Sequence, residues 1–161
     1  MRLLKIVLYF ICLAVGQTVI AARLGFLGVY PDLWLVSAVA FAVLSGRGEA
    51  TFFSGAAGFL QDLLAAGPYV NTIVKLAVAN VVSSVKEEFM GDEYSFTAGM
   101  VALFVPLLLV LRALLFLLFF GRPFGLPALL FQMAGQTAYS LLFVPLIFPL
   151  VKTLTDGDQE I

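Results

Sequence analysis

The sequence predicts an all-α integral membrane protein, a bundle of six transmembrane helices, and three observations carry that expectation. The chain of 161 residues is 62% hydrophobic, against roughly 45–50% apolar in a soluble globular domain, and its mean hydropathy is +1.08. Only 12% is charged, and a chain this small has too much surface for its volume to hide that much apolar area from water. The apolar residues fall into runs separated by brief polar or Gly/Pro segments. A spanning helix takes about 20 residues, so the length predicts a single transmembrane domain with no room for a second, soluble one. Backbone groups in lipid must pair internally, which predicts helices. Period-2 alternation with polar lumen residues is missing, which argues against an outer-membrane barrel.

The first span, about 4–22, follows the basic start Arg2 and Lys5. That start, together with Val19-Ile20-Ala21, also fits a cleaved signal peptide; the equally apolar remainder of the chain favours a span. The second, about 32–44, opens after Pro31 and closes at Ser45-Gly46-Arg47-Gly48. The third, about 50–66, is stopped by Gly67-Pro68, and the fourth, about 70–85, ends at Lys86-Glu87-Glu88. The fifth, about 95–120, ends at Gly121-Arg122-Pro123. The sixth, about 126–151, precedes a polar cytoplasmic tail, 152–161. Spans two to four are short and rich in Gly and Ala, which predicts close packing inside the bundle; five and six are long and rich in Leu and Phe.

Orientation follows from Lys and Arg in the loops. With both termini in the cytoplasm, the inside carries Arg2, Lys5, Arg47, Lys86 and Lys152, and the outside Arg23 and Arg122. Lys75 and Arg112 lie within spans. The expected topology is N-in, C-in.

Other function classes are narrowed by what is absent. There is no histidine, so imidazole metal sites, Ser-His triads and His proton relays are not expected. The one cysteine, Cys12, sits in an apolar run and is expected to be a small buried hydrophobe. Gly46-Arg47-Gly48-Glu49 lacks the lysine and hydroxyl of a nucleotide-phosphate loop. A net charge of −1 argues against nucleic acid as a partner. No metal and no cofactor is expected.

A charge at mid-helix costs roughly 2.5–3.5 kcal/mol on insertion scales, so intramembrane polar residues call for an explanation. In the N-in topology most of them share the outer half of the bilayer: Gln17, Asp32, Gln61, Asp62, Asn71, Lys75, Arg112, Gln132 and Gln136. Asp62 and Lys75 match in depth across the hairpin of spans three and four. Three readings stay open: mutual neutralisation of Asp62 and Lys75, contact with a partner, or a pocket for a small ligand. Gly55, Gly58 and Asp62 share one helix face, where another helix can approach closely. The same spacing fits packing within the bundle. Asp32 opens a helix, so local capping competes with a binding role there.

Val29-Tyr30-Pro31-Asp32-Leu33-Trp34-Leu35-Val36, then Gly55-Ala56-Ala57-Gly58-Phe59-Leu60-Gln61-Asp62-Leu63-Leu64, then Ala65-Ala66-Gly67-Pro68, resemble the rod shape-determining protein MreD family. That family opens span two with Pro-Asp/Asn and carries Gly-x-x-Gly-x-x-x-Asp-Leu in span three. Where it usually has a second glycine after the Gly-Pro turn, this chain has Val70. The resemblance covers residues 28–80 by motif and the whole chain by length and span count.

The resemblance implies a multi-pass protein of the bacterial inner (cytoplasmic) membrane, a non-enzymatic scaffold of the cell-elongation complex. Its implied partner is an MreC-like single-span protein. Through it the chain would connect to MreB filaments, a glycosyltransferase and a penicillin-binding transpeptidase that maintain rod shape and lateral peptidoglycan synthesis. Membrane lipid is the other expected contact, and a homo-oligomer is left open. Pro31, Asp32, Gly55, Gly58 and Asp62 are the candidate docking residues. The family also resembles the six-helix substrate-binding subunits of vitamin transporters, so a small-ligand-binding transporter subunit is the alternative. The acidic segment 86–93 is read as a solvated turn, with docking of a basic cytoplasmic segment as its alternative.

Overall fold

The structure, a computed structural model, describes residues 2–20, 23, 25, 28–65, 69–121, 123 and 125–156. Among them the chain is helical: α1 (Arg2–Val15) passes into a π-helical turn (Gly16–Ile20), followed by α2 (Leu33–Leu44), α3 (Arg47–Ala65), α4 (Val70–Glu88), α5 (Glu93–Phe120) and α6 (Leu126–Thr155). Two of these, α5 with 28 residues and α6 with 30, are long and apolar enough to cross a membrane. Only 22% and 28% of their most apolar windows are buried, so most of that greasy surface faces outward.

The hub is α2. Every residue from Leu33 to Val43 is buried, and the helix packs against α3, α4, α5 and α6. A helix that is apolar on all faces has no solvent side to turn outward. Val36, Ala38, Val39, Ala40, Ala42 and Val43 are compact enough to admit neighbours from every direction. At 12 residues it is about 18 Å long. Its start is capped by Asp32, whose Oδ1 accepts from the Leu35 backbone N–H at 3.0 Å, a bond typically worth about 1 kcal/mol.

α1 lies along the edge, with Leu4, Val7, Leu8 and Ile11 exposed and Leu13 inward. Its inner face joins an aromatic cluster: Phe10 stacks on Trp34 and Phe53, and Phe41 on Phe53 with centroids 4.2 Å apart. The Tyr9 and Ser37 hydroxyls hydrogen-bond at 2.6 Å, so the one hydroxyl buried within α2 has a partner.

Helix ends depart from the apolar runs in a consistent way. α3 begins at Arg47, α4 continues through Lys86-Glu87-Glu88, α5 begins at Glu93 and α6 runs to Thr155. Hydropathy marks the apolar part of a helix, whereas Lys, Glu and Arg are good helix formers that extend it into a polar environment. The acidic segment 86–93 thereby shrinks to the connection 89–92. Asp92 caps α5 there through the Ser95 N–H at 2.9 Å. Gly121 ends α5 at φ 61°, the left-handed position where a side chain is disfavoured.

The first apolar run is not one continuous α-helix, because it changes to the wider π turn at Gly16. Cys12 is exposed on α1, not buried as expected; it shares the outward face with Leu8 and Val15. Ala22 and Ala66 as span ends, the Gly67-Pro68 turn, Arg122 and the end of the tail, 157–161, lie outside the described residues.

Candidate functional site

The polar residues predicted inside the bundle gather where α2 and α4 begin and α3 ends. Asp62, in the last turns of α3, is buried and accepts four hydrogen bonds from the start of α4. Its Oδ1 takes the Asn71 backbone N–H at 3.3 Å and the Asn71 side-chain amide at 2.8 Å. Its Oδ2 takes the Thr72 backbone N–H at 2.8 Å and the Thr72 hydroxyl at 2.7 Å. The first N–H groups of a helix have no partner within it, and the helix dipole favours an anion there. Asp62 is therefore a capping residue supplied from the neighbouring helix.

This changes the role expected for Lys75. It does not form an ion pair with Asp62. Its ammonium donates instead to the Gln61 side-chain oxygen, and it is 1% exposed. Matching depth brought Asp62 and Lys75 to one level of the bundle, but the α4 amides had already filled the Asp62 oxygens. Arg112, from α5, donates to the Asn71 side-chain oxygen. Asn71 thus links the Asp62 carboxylate to the Arg112 guanidinium, while Lys75 has the Gln61 oxygen and the Asp32 carboxylate the Leu35 N–H, which limits the cost of taking these groups out of water.

The start of α2 is tied in by two further polar side chains. Gln17, on the π turn, accepts from the Leu33 N–H at 2.8 Å and donates to the Pro31 carbonyl at 2.9 Å. The Asp32 N–H donates to the Ser140 hydroxyl of α6 at 3.2 Å. Pro31 and Asp32 are both buried, so their place is inside the fold and not on an open docking face. No hydrogen bond joins Gln132 or Gln136 to the cluster; Gln132 is exposed and Gln136 half-buried.

The Gly55–Gly58–Asp62 face is also internal. A Cβ on Gly58 would lie 2.5 Å from the Thr72 Cα and 2.7 Å from the Asn71 carbonyl oxygen, and one on Gly55 would lie 3.0 Å from a Leu76 methyl. α4 of the same chain occupies the face that the sequence reading offered to a partner. The absence of a side chain at Gly58 is what lets α4 come close enough for Asp62 to reach its amides.

Two members were not singled out from sequence, Thr72 and Ser140. Thr72 follows Asn71 at the head of a helix, a polar pair that capping rules could have flagged. Ser140 continues the line Gln132, Gln136, Ser140 at helical spacing, and its contact with a residue 108 positions away leaves no local trace.

The hydrogen bonds of the cluster run from helix to helix, α3 to α4 through Asp62 and α4 to α5 through Asn71 and Arg112. Among the described residues no group of His, Cys, Asp or Glu is placed to hold a metal ion. No family model, no curated protein and no solved structure matches the chain.

Proposed function

We propose that this chain is a multi-pass scaffold of the bacterial cytoplasmic membrane, with six spans and both termini inside. It acts in the cell-elongation complex as an MreD-like protein that binds an MreC-like single-span partner. The observation that carries this reading is the use made of the buried charges. Asp62, Asn71, Thr72 and Arg112 are spent on one another, which suits a rigid framework better than a site that opens to take a substrate. The apolar surface agrees: Leu103, Leu107, Leu118, Phe119, Leu142 and Leu146 are all exposed, far more greasy surface than a water-soluble monomer shows. The Pro31-Asp32 and Gly-x-x-Gly-x-x-x-Asp-Leu segments support the family reading by resemblance.

The test is depletion in a rod-shaped bacterium combined with affinity capture from native membranes. Rounded cells, with a single-span coiled-coil protein recovered alongside the chain, support the scaffold. Normal rods, or recovery of a bound vitamin with an ATPase partner, favour the transporter subunit instead.

A further inference from the structure

A cavity of about 240 Å³ opens at the opposite end of α2 from the polar cluster, lined by Ala42, Ser45, Gly46, Arg47, Ser83, Lys86 and Glu87. It sits between the end of α2, the start of α3 and the end of α4. Its volume falls below the roughly 300–1,000 Å³ of pockets that enclose a whole drug-sized ligand. A single charged headgroup is the scale that fits.

The donors facing this space are cationic. The Ser45 hydroxyl already donates to the Phe41 carbonyl at 2.7 Å and the Ser83 hydroxyl to the Ala42 carbonyl at 3.4 Å. That leaves Arg47 and Lys86. Among the described residues Lys86 has an ion-pair competitor in Glu93 at 3.8 Å, with both side chains partly exposed, and an exposed ion pair of that length holds its members weakly. Arg47 presents a planar fork of donors that matches phosphate oxygens. Glu87 is the opposing charge on the rim. The loop lacks the lysine and hydroxyl of a nucleotide site, but a phosphate without a nucleotide needs neither.

Further along the same two helices, within about two turns of Arg47 or Lys86, Phe52 on α3 and Val81 and Val85 on α4 are exposed apolar side chains. A cationic pocket at the ends of helices that carry greasy surface is the setting in which an anionic lipid is held by its headgroup.

We propose that Arg47 and Lys86 bind the phosphodiester headgroup of an anionic membrane lipid in this cavity. The inference rests on the membrane reading above, and on that side of the bundle the N-in topology puts the cytoplasmic leaflet. Binding there would clamp the α2–α3 connection to the end of α4.

The experiment uses the full chain, purified in detergent, with its unfolding temperature followed as lipid is added. Phosphatidylglycerol should raise it, whereas phosphatidylcholine and inorganic phosphate at matched concentration should not. The Arg47→Gln/Lys86→Gln variant should bind phosphatidylglycerol about 30-fold more weakly, taking about fivefold per cation, while Lys152→Gln keeps its affinity. Glu87→Gln should bind more tightly, the opposite of what a cation site would do. An undiminished shift in the double variant overturns the site, and an equal shift with inorganic phosphate overturns the lipid as occupant. An alkaline wash of expressing membranes separates the two levels. Release of the chain defeats the membrane reading itself, while a retained chain that does not discriminate between lipids defeats only the headgroup site.

Discussion

Asp62 and Thr72 are joined twice through one oxygen: Oδ2 of the carboxylate accepts the Thr72 backbone N–H at 2.8 Å and its hydroxyl at 2.7 Å. The relationship ties the end of α3 to the first turn of α4. It is permitted because Gly58, one turn earlier on α3, has no Cβ to push Thr72 away. Removing the carboxylate leaves several donors unpaired at a half-buried helix start, a loss of up to about 1–3 kcal/mol for each group left unsatisfied. Asp62→Ala should therefore lower the unfolding temperature in detergent sharply. Thr72→Val, which keeps the backbone bond, should cost only about 1 kcal/mol. In the double variant the two losses should fall short of their sum, since both touch the same oxygen.

Lys75 should couple to Gln61, whose side-chain oxygen accepts from its ammonium, more than to Asp62. Lys75→Met removes a buried cation and leaves an excess of negative charge, at about 3–5 kcal/mol when one partner of a buried set is lost. Combined with Gln61→Leu, the total loss should fall short of the sum, since both changes remove the same hydrogen bond. Combined with Asp62→Asn, the losses should be closer to additive, because the Asp62 oxygens are engaged with α4 whether or not Lys75 is present. Double-mutant cycles on unfolding temperature in detergent measure both, and equal coupling would contradict the arrangement.

Gly58→Ala should be poorly tolerated, because the added Cβ meets backbone at 2.5 Å and backbone cannot rotate aside. Gly55→Ala meets a Leu76 methyl at 3.0 Å, and that side chain can shift, so the effect should be mild. Gly99→Ala has nothing within 4 Å and should be neutral or stabilise α5 by up to about 1 kcal/mol, the helix preference of Ala over Gly. Folded protein recovered from membranes, compared across the three, checks the order.

Thiol labelling tests the proposed topology. With Cys12 replaced by serine, since it is exposed, Met90→Cys and Asp156→Cys should resist an impermeant reagent applied to intact cells. Pro123→Cys should react. The reverse pattern would place both termini outside.

Asp92 gives the connection before α5 a pH dependence. The Ser95 backbone N–H, followed by the Ser95 hydroxyl, holds its carboxyl below the usual carboxylate range. A lowered folded value means that the cap contributes at neutral pH and is lost as pH falls through that value, below about pH 4. Amide exchange in the first turn of α5 should accelerate there, and Asp92→Asn should remove the pH dependence.

The helices themselves were legible because the apolar runs and their Gly/Pro stops are local properties of the chain. Their ends were less so: α4 reaches Glu88 and α6 reaches Thr155, since charged helix formers extend a helix without adding hydropathy. The gathering of Asp32, Asp62, Asn71, Lys75 and Arg112 at one level was also readable, because depth can be counted along each helix. Which group would bind which was not. Helix spacing puts Asp62 and Lys75 at one height but says nothing of the azimuth of one helix against another. Only the packed structure sets the α4 amides closer to Asp62 than Lys75, and gives Lys75 the Gln61 oxygen. The Gly55–Gly58 face had the same ambiguity, since a small-residue stripe suits any helix that arrives. The short α3–α4 connection brings in the chain's own α4 first, and that proximity decided the outcome.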